Sequence, residues 1–186
     1  MINFKFGCEH TLVHSYIGDV CWGNAREFYY ELLARLGDET KTYKNLVVPI
    51  GSSGGELDAA WALYDMLSTV DINVVTIAIG KVYSAGTIPF MAGDQRYIYS
   101  KAMLLFHSAV SLYEKAEVNM SQVKEEILAE KVDSKLLSAI LKDKISPKEV
   151  KNLCSPKKSI FLTADEALKM GLITKVIDKY SQVELL

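Results

Sequence analysis

Strands that lack polar alternation, helices set between them and glycine turns at their junctions predict an α/β domain built on a mostly parallel sheet. Residues 45–50 (Asn-Leu-Val-Val-Pro-Ile) and 74–79 (Val-Val-Thr-Ile-Ala-Ile) are near-continuous apolar runs of strand length. A strand covered on both faces has no reason to alternate, and helices covering a parallel sheet create that situation. A third observation is a long charge-rich amphipathic stretch, residues 117–144, too long for a compact domain of this size. It predicts a helix that projects or packs on another subunit.

The elements follow in order. Residues 24–36 read as a helix, with Phe28, Leu32, Leu33 and Leu36 on one stripe. Gly37-Asp38-Glu39 stops it before the strand at 45–50, and Gly51-Ser-Ser-Gly-Gly55 is a turn. A second helix at 57–67 spaces Leu57, Ala60, Trp61, Tyr64 and Leu67 for one face. The β-branched strand at 74–79 ends at Gly80, and a third helix is expected over about 84–91. Strands at 95–99 and 102–107 flank the polar pair Ser100-Lys101. The long helix carries Val123, Ile127, Leu128, Val132, Leu136, Leu137 and Ile140 as its stripe. Ser146-Pro147 supplies an N-cap and a first-turn proline for a short helix. Thr163-Ala-Asp-Glu166 is a capping box for the last helix, which Gly171 ends before a strand at 173–177.

The 186 residues, with no linker, repeat or low-complexity tract, fit one domain spanning 1–186. Within it, 1–15 form an N-terminal segment and about 110–145 the long-helix region. Acidic residues number 23 against 21 basic, a net charge of −2, which leaves no electrostatic footprint for nucleic acid or an anionic membrane. No apolar run approaches the roughly 18–20 residues of a membrane span. No secretory signal is expected at the start, and three cysteines at no framework spacing fit a reducing compartment, so the expected location is cytoplasmic. Cys8, His10, His14 and Cys21 offer zinc-type ligands, yet no CxxC pair is present and the spacing matches no finger. The segment reads instead as an exposed run entering the first strand, and neither a metal nor a cofactor is assigned.

Chemistry concentrates at strand ends. The glycines of 51–55, between a strand and a helix, allow backbone N–H groups to face an oxyanion or phosphate; a plain tight turn is the alternative. No Gly-Lys-Ser/Thr follows, so a nucleotide loop is not indicated. Gly80-Lys-Val-Tyr-Ser84-Ala-Gly86 puts a serine on a strand-to-helix turn, as in a nucleophile elbow, or as a simple N-cap. His107 ends an apolar strand and would supply the base that a serine nucleophile needs. Both residues lie where the open edge of an α/β sheet gathers its sites.

These residues resemble the proteolytic subunit of the ATP-dependent Clp protease, whose fold is related to the crotonases. The family's Ser-Pro-Gly-Gly is matched by Ser52-Ser53-Gly54-Gly55, and its Gly-x-x-x-Ser-x-Gly by Gly80, Ser84 and Gly86. Its Met-Ile-His-Gln-Pro is matched by Leu105-Phe106-His107-Ser108-Ala109, and its Phe-Met-Ser-Ala-x-Glu-Ala run by 161–167. The match extends from about Tyr16 to Asp178. The resemblance implies repeated ββα units with a mostly parallel sheet and a projecting handle helix. It also implies a serine endopeptidase in which Ser84 is the nucleophile, His107 the general base, and the N–H groups of Gly54 and Ala85 the oxyanion hole. The family's triad aspartate falls on Ser159, so the third member is non-standard and reduced activity is expected. The resemblance further implies unfolded polypeptide as substrate, stacked heptameric rings and a separate AAA+ ATP-dependent unfoldase as partner. A catalytically weak or inactive structural subunit of such a ring is the competing reading. A Ser–Lys dyad is made unnecessary by His107, and a crotonase would need carboxylates that the motifs do not supply. On the ring reading, the handle and the outer faces of the sheet would pack between subunits.

Overall fold

The computed structural model describes residues 10–107, 120–155 and 159–185. The chain forms β1 (Thr11–Val13), β2 (Tyr16–Ile17), α1 (Trp22–Leu36), β3 (Asn45–Ser52), α2 (Leu57–Ser68) and β4 (Asn73–Tyr83). A 3-10 turn, Ser84–Gly86, leads into the short α3 (Thr87–Phe90). Then come β5 (Gln95–Tyr99), β6 (Met103–Phe106), α4 (Met120–Leu141), α5 (Pro147–Leu153), β7 (Ile160–Thr163), α6 (Ala164–Met170) and β8 (Lys175–Ile177). A last 3-10 turn covers Tyr180–Gln182.

The sheet runs β1-β3-β4-β5-β8, all parallel, as the apolar strands predict. β6 and β7 branch from it, and β7 is antiparallel to β6, a strand the sequence reading did not contain. β4 serves two partners in succession. Val75–Ala78 pair with β5, and Lys81–Tyr83 pair with β6. Between them Gly80 takes φ 58°, a left-handed conformation that costs a glycine little and lets the strand turn from one partner to the other.

One face of the sheet packs on the helices. Leu46, Val48, Ile50, Val74, Ala78 and Ile98 point into a cluster with Leu32, Leu63, Leu67 and Phe90. The other side is covered differently. There Val47, Val75, Ile77, Tyr97 and Ile177 form a second cluster, covered by Tyr180, Val183 and Leu185 rather than by a helix. The caps hold as read: Ser146 with Glu149 and Thr163 with Glu166 form capping boxes, and Gly171 ends α6 at φ 86°.

α4 leaves Ile127, Leu128, Val132 and Leu136 exposed, and among its described side chains only Leu141, at its end, is fully buried. The predicted start at 117, like residues 108–119 as a whole, lies outside the described residues. The reading of the segment near His14 as exposed is also corrected. β1 and β2 pair with β3, and His14 is buried because its ring packs 4.4 Å from that of Phe28. Its Nε2–H donates to the Phe28 carbonyl at 3.1 Å, leaving Nδ1 to accept from Arg35. The Cys21 sulfur caps α1, accepting from the Asn24 N–H at 3.5 Å. Cys8 lies outside the described residues, among which no grouping of three or more His, Cys, Asp or Glu could hold a metal ion.

Candidate functional site

Ser84 follows directly on β4 and has φ 53°, the one non-glycine residue with positive φ among those described. A left-handed serine costs on the order of 1–2 kcal/mol, and it persists only where its surroundings fix it. Here the following turn does so: the Thr87 hydroxyl donates to the Ser84 carbonyl at 2.7 Å, and the small, buried Ala85 and Gly86 fit beneath. The Ala85 N–H lies in the first turn, where helical N–H groups have no intrahelical acceptor.

The glycine loop after β3 approaches this turn from the side. A methyl group on Gly54 would lie 2.7 Å from Ser84 Cβ and 3.2 Å from Ser84 Oγ, so no other residue fits without displacing the serine. Gly54 also takes φ 101°, which a side chain would strain. Val20 fastens the loop: its N–H donates to the Gly54 carbonyl and its carbonyl accepts from the Glu56 N–H, both at 2.8 Å. In this state the Gly54 N–H is occupied, donating to the buried Ser52 hydroxyl at 3.1 Å.

His107 is the residue after β6, half-buried at the same end of the sheet. β6 lies beside the last residues of β4, with Tyr83 opposite Leu105. On its other side the antiparallel register pairs Phe106 with Ile160. Continued by one residue, that register sets Ser159 opposite His107. Ser159 itself is exposed. The T-shaped contact of Tyr83 with Phe161, 5.9 Å between ring centres, ties the outer strands of this row together. The nearby carboxylate of Glu166 is committed to its capping box, accepting from the Thr163 N–H at 2.8 Å and hydroxyl at 2.7 Å. Those bonds hold its pKa below the ordinary carboxylate value, and they leave it a structural group.

Beside His107 opens a cavity of about 430 Å3 between α2, α4 and α5. Leu57, Trp61, Ile88, Leu137 and Leu153 give it an apolar lining. The Trp61 indole N–H donates to Asp133 at 3.0 Å, tying α2 to α4 across its mouth. Sequence reasoning placed Trp61 on a core stripe and missed this role. Asp133 lies 72 residues away, and no spacing rule connects the two. It missed Val20 for the same reason, since Val20 meets the glycine loop only through folding; the Ser-Ser-Gly-Gly motif contains Ser52 but does not show that its hydroxyl accepts the Gly54 N–H.

Known proteins share this arrangement of elements. Residues 15–180 match the Clp protease family. The chain is 28% identical, over 144 residues, to an ATP-dependent Clp protease proteolytic subunit from Deinococcus radiodurans, covering 76% of this chain and 69% of that protein. Its fold is similar to that of a ClpP1 mutant from Listeria monocytogenes, with a TM-score of 0.72 at 18% identity over 92% of this chain and 93% of the other.

Proposed function

The chain belongs to the Clp protease family, and from that premise we propose that it is a serine-type endopeptidase with Ser84 as nucleophile and His107 as general base. The observation that carries the reading is the left-handed Ser84, seated on the Gly54 loop at the sheet end that also holds His107. Such a strained turn is a cost without a use unless the hydroxyl must be presented.

In the proposed reaction, Ser84 Oγ attacks the peptide carbonyl while His107 takes its proton. The oxyanion accepts from the Ala85 and Gly54 N–H groups, and each such donor contributes about 10²–10³ in rate in other serine proteases. The Gly54 N–H must leave the Ser52 hydroxyl to do so. His107 then protonates the leaving amine and next deprotonates the water that hydrolyses the acyl-enzyme. Ser159 accepts the His107 Nδ1–H and holds the tautomer. A neutral hydroxyl cannot stabilise the imidazolium as a carboxylate does, so turnover is slow. The apolar cavity beside His107 would take the side chain preceding the cleaved bond, favouring apolar residues.

The family relationship supports unfolded polypeptide as substrate, stacked heptameric rings and a separate AAA+ unfoldase. Exposed Trp22, Tyr30 and Leu33 on α1 and Ile127, Leu128 and Val132 on α4 supply apolar surface for such an assembly. The second reading, a non-catalytic subunit of a protease ring, is favoured by one observation: Ser159 stands where the triad aspartate is expected. Hydrolysis of a fluorogenic peptide with an apolar residue before the cleaved bond separates the two. The enzyme reading expects slow cleavage by the wild type, none by Ser84→Ala, and a rise of about 10²-fold or more in Ser159→Asp. Cleavage surviving in Ser84→Ala would overturn it. So would inactivity of both the wild type and Ser159→Asp, which establishes the non-catalytic reading.

A further inference from the structure

The backbone donor of the glycine loop is turned away from the site it would serve. Leu46, Val48, Ile50 and Ser52 alternate along β3, and the first three face the helices in the core. Ser52 continues that row into the interior and is 5% exposed, a hydroxyl where the row is otherwise apolar. The pairing of β3 with β4 shifts register between Ile50 and Ser52, which sets Ser52 opposite Val82, close to the Ser84 turn. There its side chain touches both loops of the site. Its Oγ accepts from the Gly54 N–H at 3.1 Å, and a methyl group on Gly86 would lie 3.0 Å from its Cβ and 3.4 Å from its Oγ. The Gly54 N–H thus points inward, at a buried acceptor. A trans peptide carries its C=O on the side opposite its N–H, so the Ser53 carbonyl is turned the other way. With that polarity the peptide repels an oxyanion rather than binding it.

A half-turn of this one peptide reverses the polarity, and the loop is built to allow it. Rotating the 53–54 peptide changes Ser53 ψ and Gly54 φ and leaves the neighbouring peptides in place. Ser53 is exposed, and Gly54, at φ 101°, has no side chain to hinder passage to negative φ. The flanks are held. Ser52 belongs to β3, the Gly54 carbonyl accepts from the Val20 N–H at 2.8 Å, and the Glu56 N–H donates to the Val20 carbonyl at 2.8 Å. An inward N–H without an acceptor would be a costly buried donor. The Ser52 hydroxyl removes that cost, so it is the group that stabilises the inward position.

We propose that the Ser53–Gly54 peptide is a two-position switch of the oxyanion hole, and that Ser52 is the positioning residue that holds it shut. The proposal rests on the reading of Ser84 as the nucleophile. Turned in, the Gly54 N–H is spent on Ser52, and the Ala85 N–H is left to meet the oxyanion without it. Turned out, both donors serve. Turnover then scales with the fraction of molecules whose peptide is turned out. The reacting carbonyl itself draws the switch outward, because its oxygen gains charge and a charged acceptor binds an N–H more strongly than a neutral hydroxyl does.

The test compares the full-length wild type with Ser52→Ala, using a fluorogenic peptide and a fluorophosphonate probe whose fluoride the serine displaces. Alanine nearly keeps the buried volume and leaves the inward N–H without an acceptor, so the outward position gains. In the variant, kcat and the rate of Ser84 phosphonylation are expected to rise about tenfold, with KM within about twofold of wild type. A residue that only supported the fold would lower both rates when replaced. Equal or lower rates in the variant, with Ser84 labelled in both proteins, overturn the switch and leave the nucleophile assignment standing. No labelling of Ser84 in either protein overturns that assignment, and the switch with it. Should the variant fail to fold, a crystal structure of the wild type phosphonylated on Ser84 decides. The Gly54 N–H directed at the phosphonyl oxygen and off the Ser52 hydroxyl supports the switch. A Gly54 N–H still bonded to Ser52 in that adduct overturns it.

Discussion

The two faces of one sheet are built from alternate residues of the same strands, yet they are held in opposite ways. On the inner face Leu46, Val48 and Ile98 lock into helices across a broad core that also props up the Ser84 turn through α3. On the outer face their neighbours Val47 and Tyr97 are equally buried, but no helix covers them: Tyr180, Val183 and Leu185 of the segment 180–185 pack there with Val13, Ile79 and Tyr99. Equal burial therefore does not mean equal permanence. What matters is how many contacts the covering element would lose together, and the strained Ser84 turn stands on the side with the broader core.

The largest expected effect breaks the inner face. Phe90 in α3 is fully buried, and its carbonyl accepts from the Thr76 hydroxyl at 2.8 Å. Phe90→Ala is expected to cost about 3–5 kcal/mol in urea-unfolding stability. A loss no greater than that of an outer-face substitution would erase the contrast. Gly54→Ala comes next: the methyl group would meet Ser84 at 2.7 Å, and peptide hydrolysis is expected to fall about 10²–10³-fold, with much of the fold retained. On the outer face, Val183→Ala should cost only about 1 kcal/mol, and hydrogen exchange should show the change confined to 180–185. The smallest effect is in pH. Burial lowers the pKa of His14, with a further lowering by Arg35 that outranks the raising by Glu31. The unfolded chain then binds more protons than the folded one below pH 6.5, so stability present above that pH is lost as pH falls. The urea midpoint should drop between pH 7 and 5 more steeply in the wild type than in His14→Gln.

The contrast between faces also explains how far the sequence could be read. Apolar runs at 45–50 and 74–79 identify buried strands, and Ser146-Pro147 and Thr163–Glu166 mark helix starts, because each of these signals is local. An apolar run records that both faces are covered without recording by what. It does not announce that Tyr180, Val183 and Leu185, three residues at no regular period, pack on the other face. β1, β2 and β7 are too short, at two to four residues, to show a pattern. β4's change of partner at Gly80 depends on a dihedral angle rather than a residue type. At the site, Ser84 and His107 are legible because strand ends and glycine turns announce them. The Trp61–Asp133 tie is not, since only the fold brings those two side chains together, and the Ser52 bond to the Gly54 N–H, two residues on, depends on loop dihedral angles that residue types do not state.

The central claim is that the strained turn presents an activated serine. A fluorophosphonate probe, which reacts with such serines, reads this directly when the adduct is located by mass spectrometry. The account predicts a covalent adduct on Ser84, lost in Ser84→Ala and slowed in His107→Ala. A folded wild-type protein that takes no label, or takes it at another residue, contradicts it.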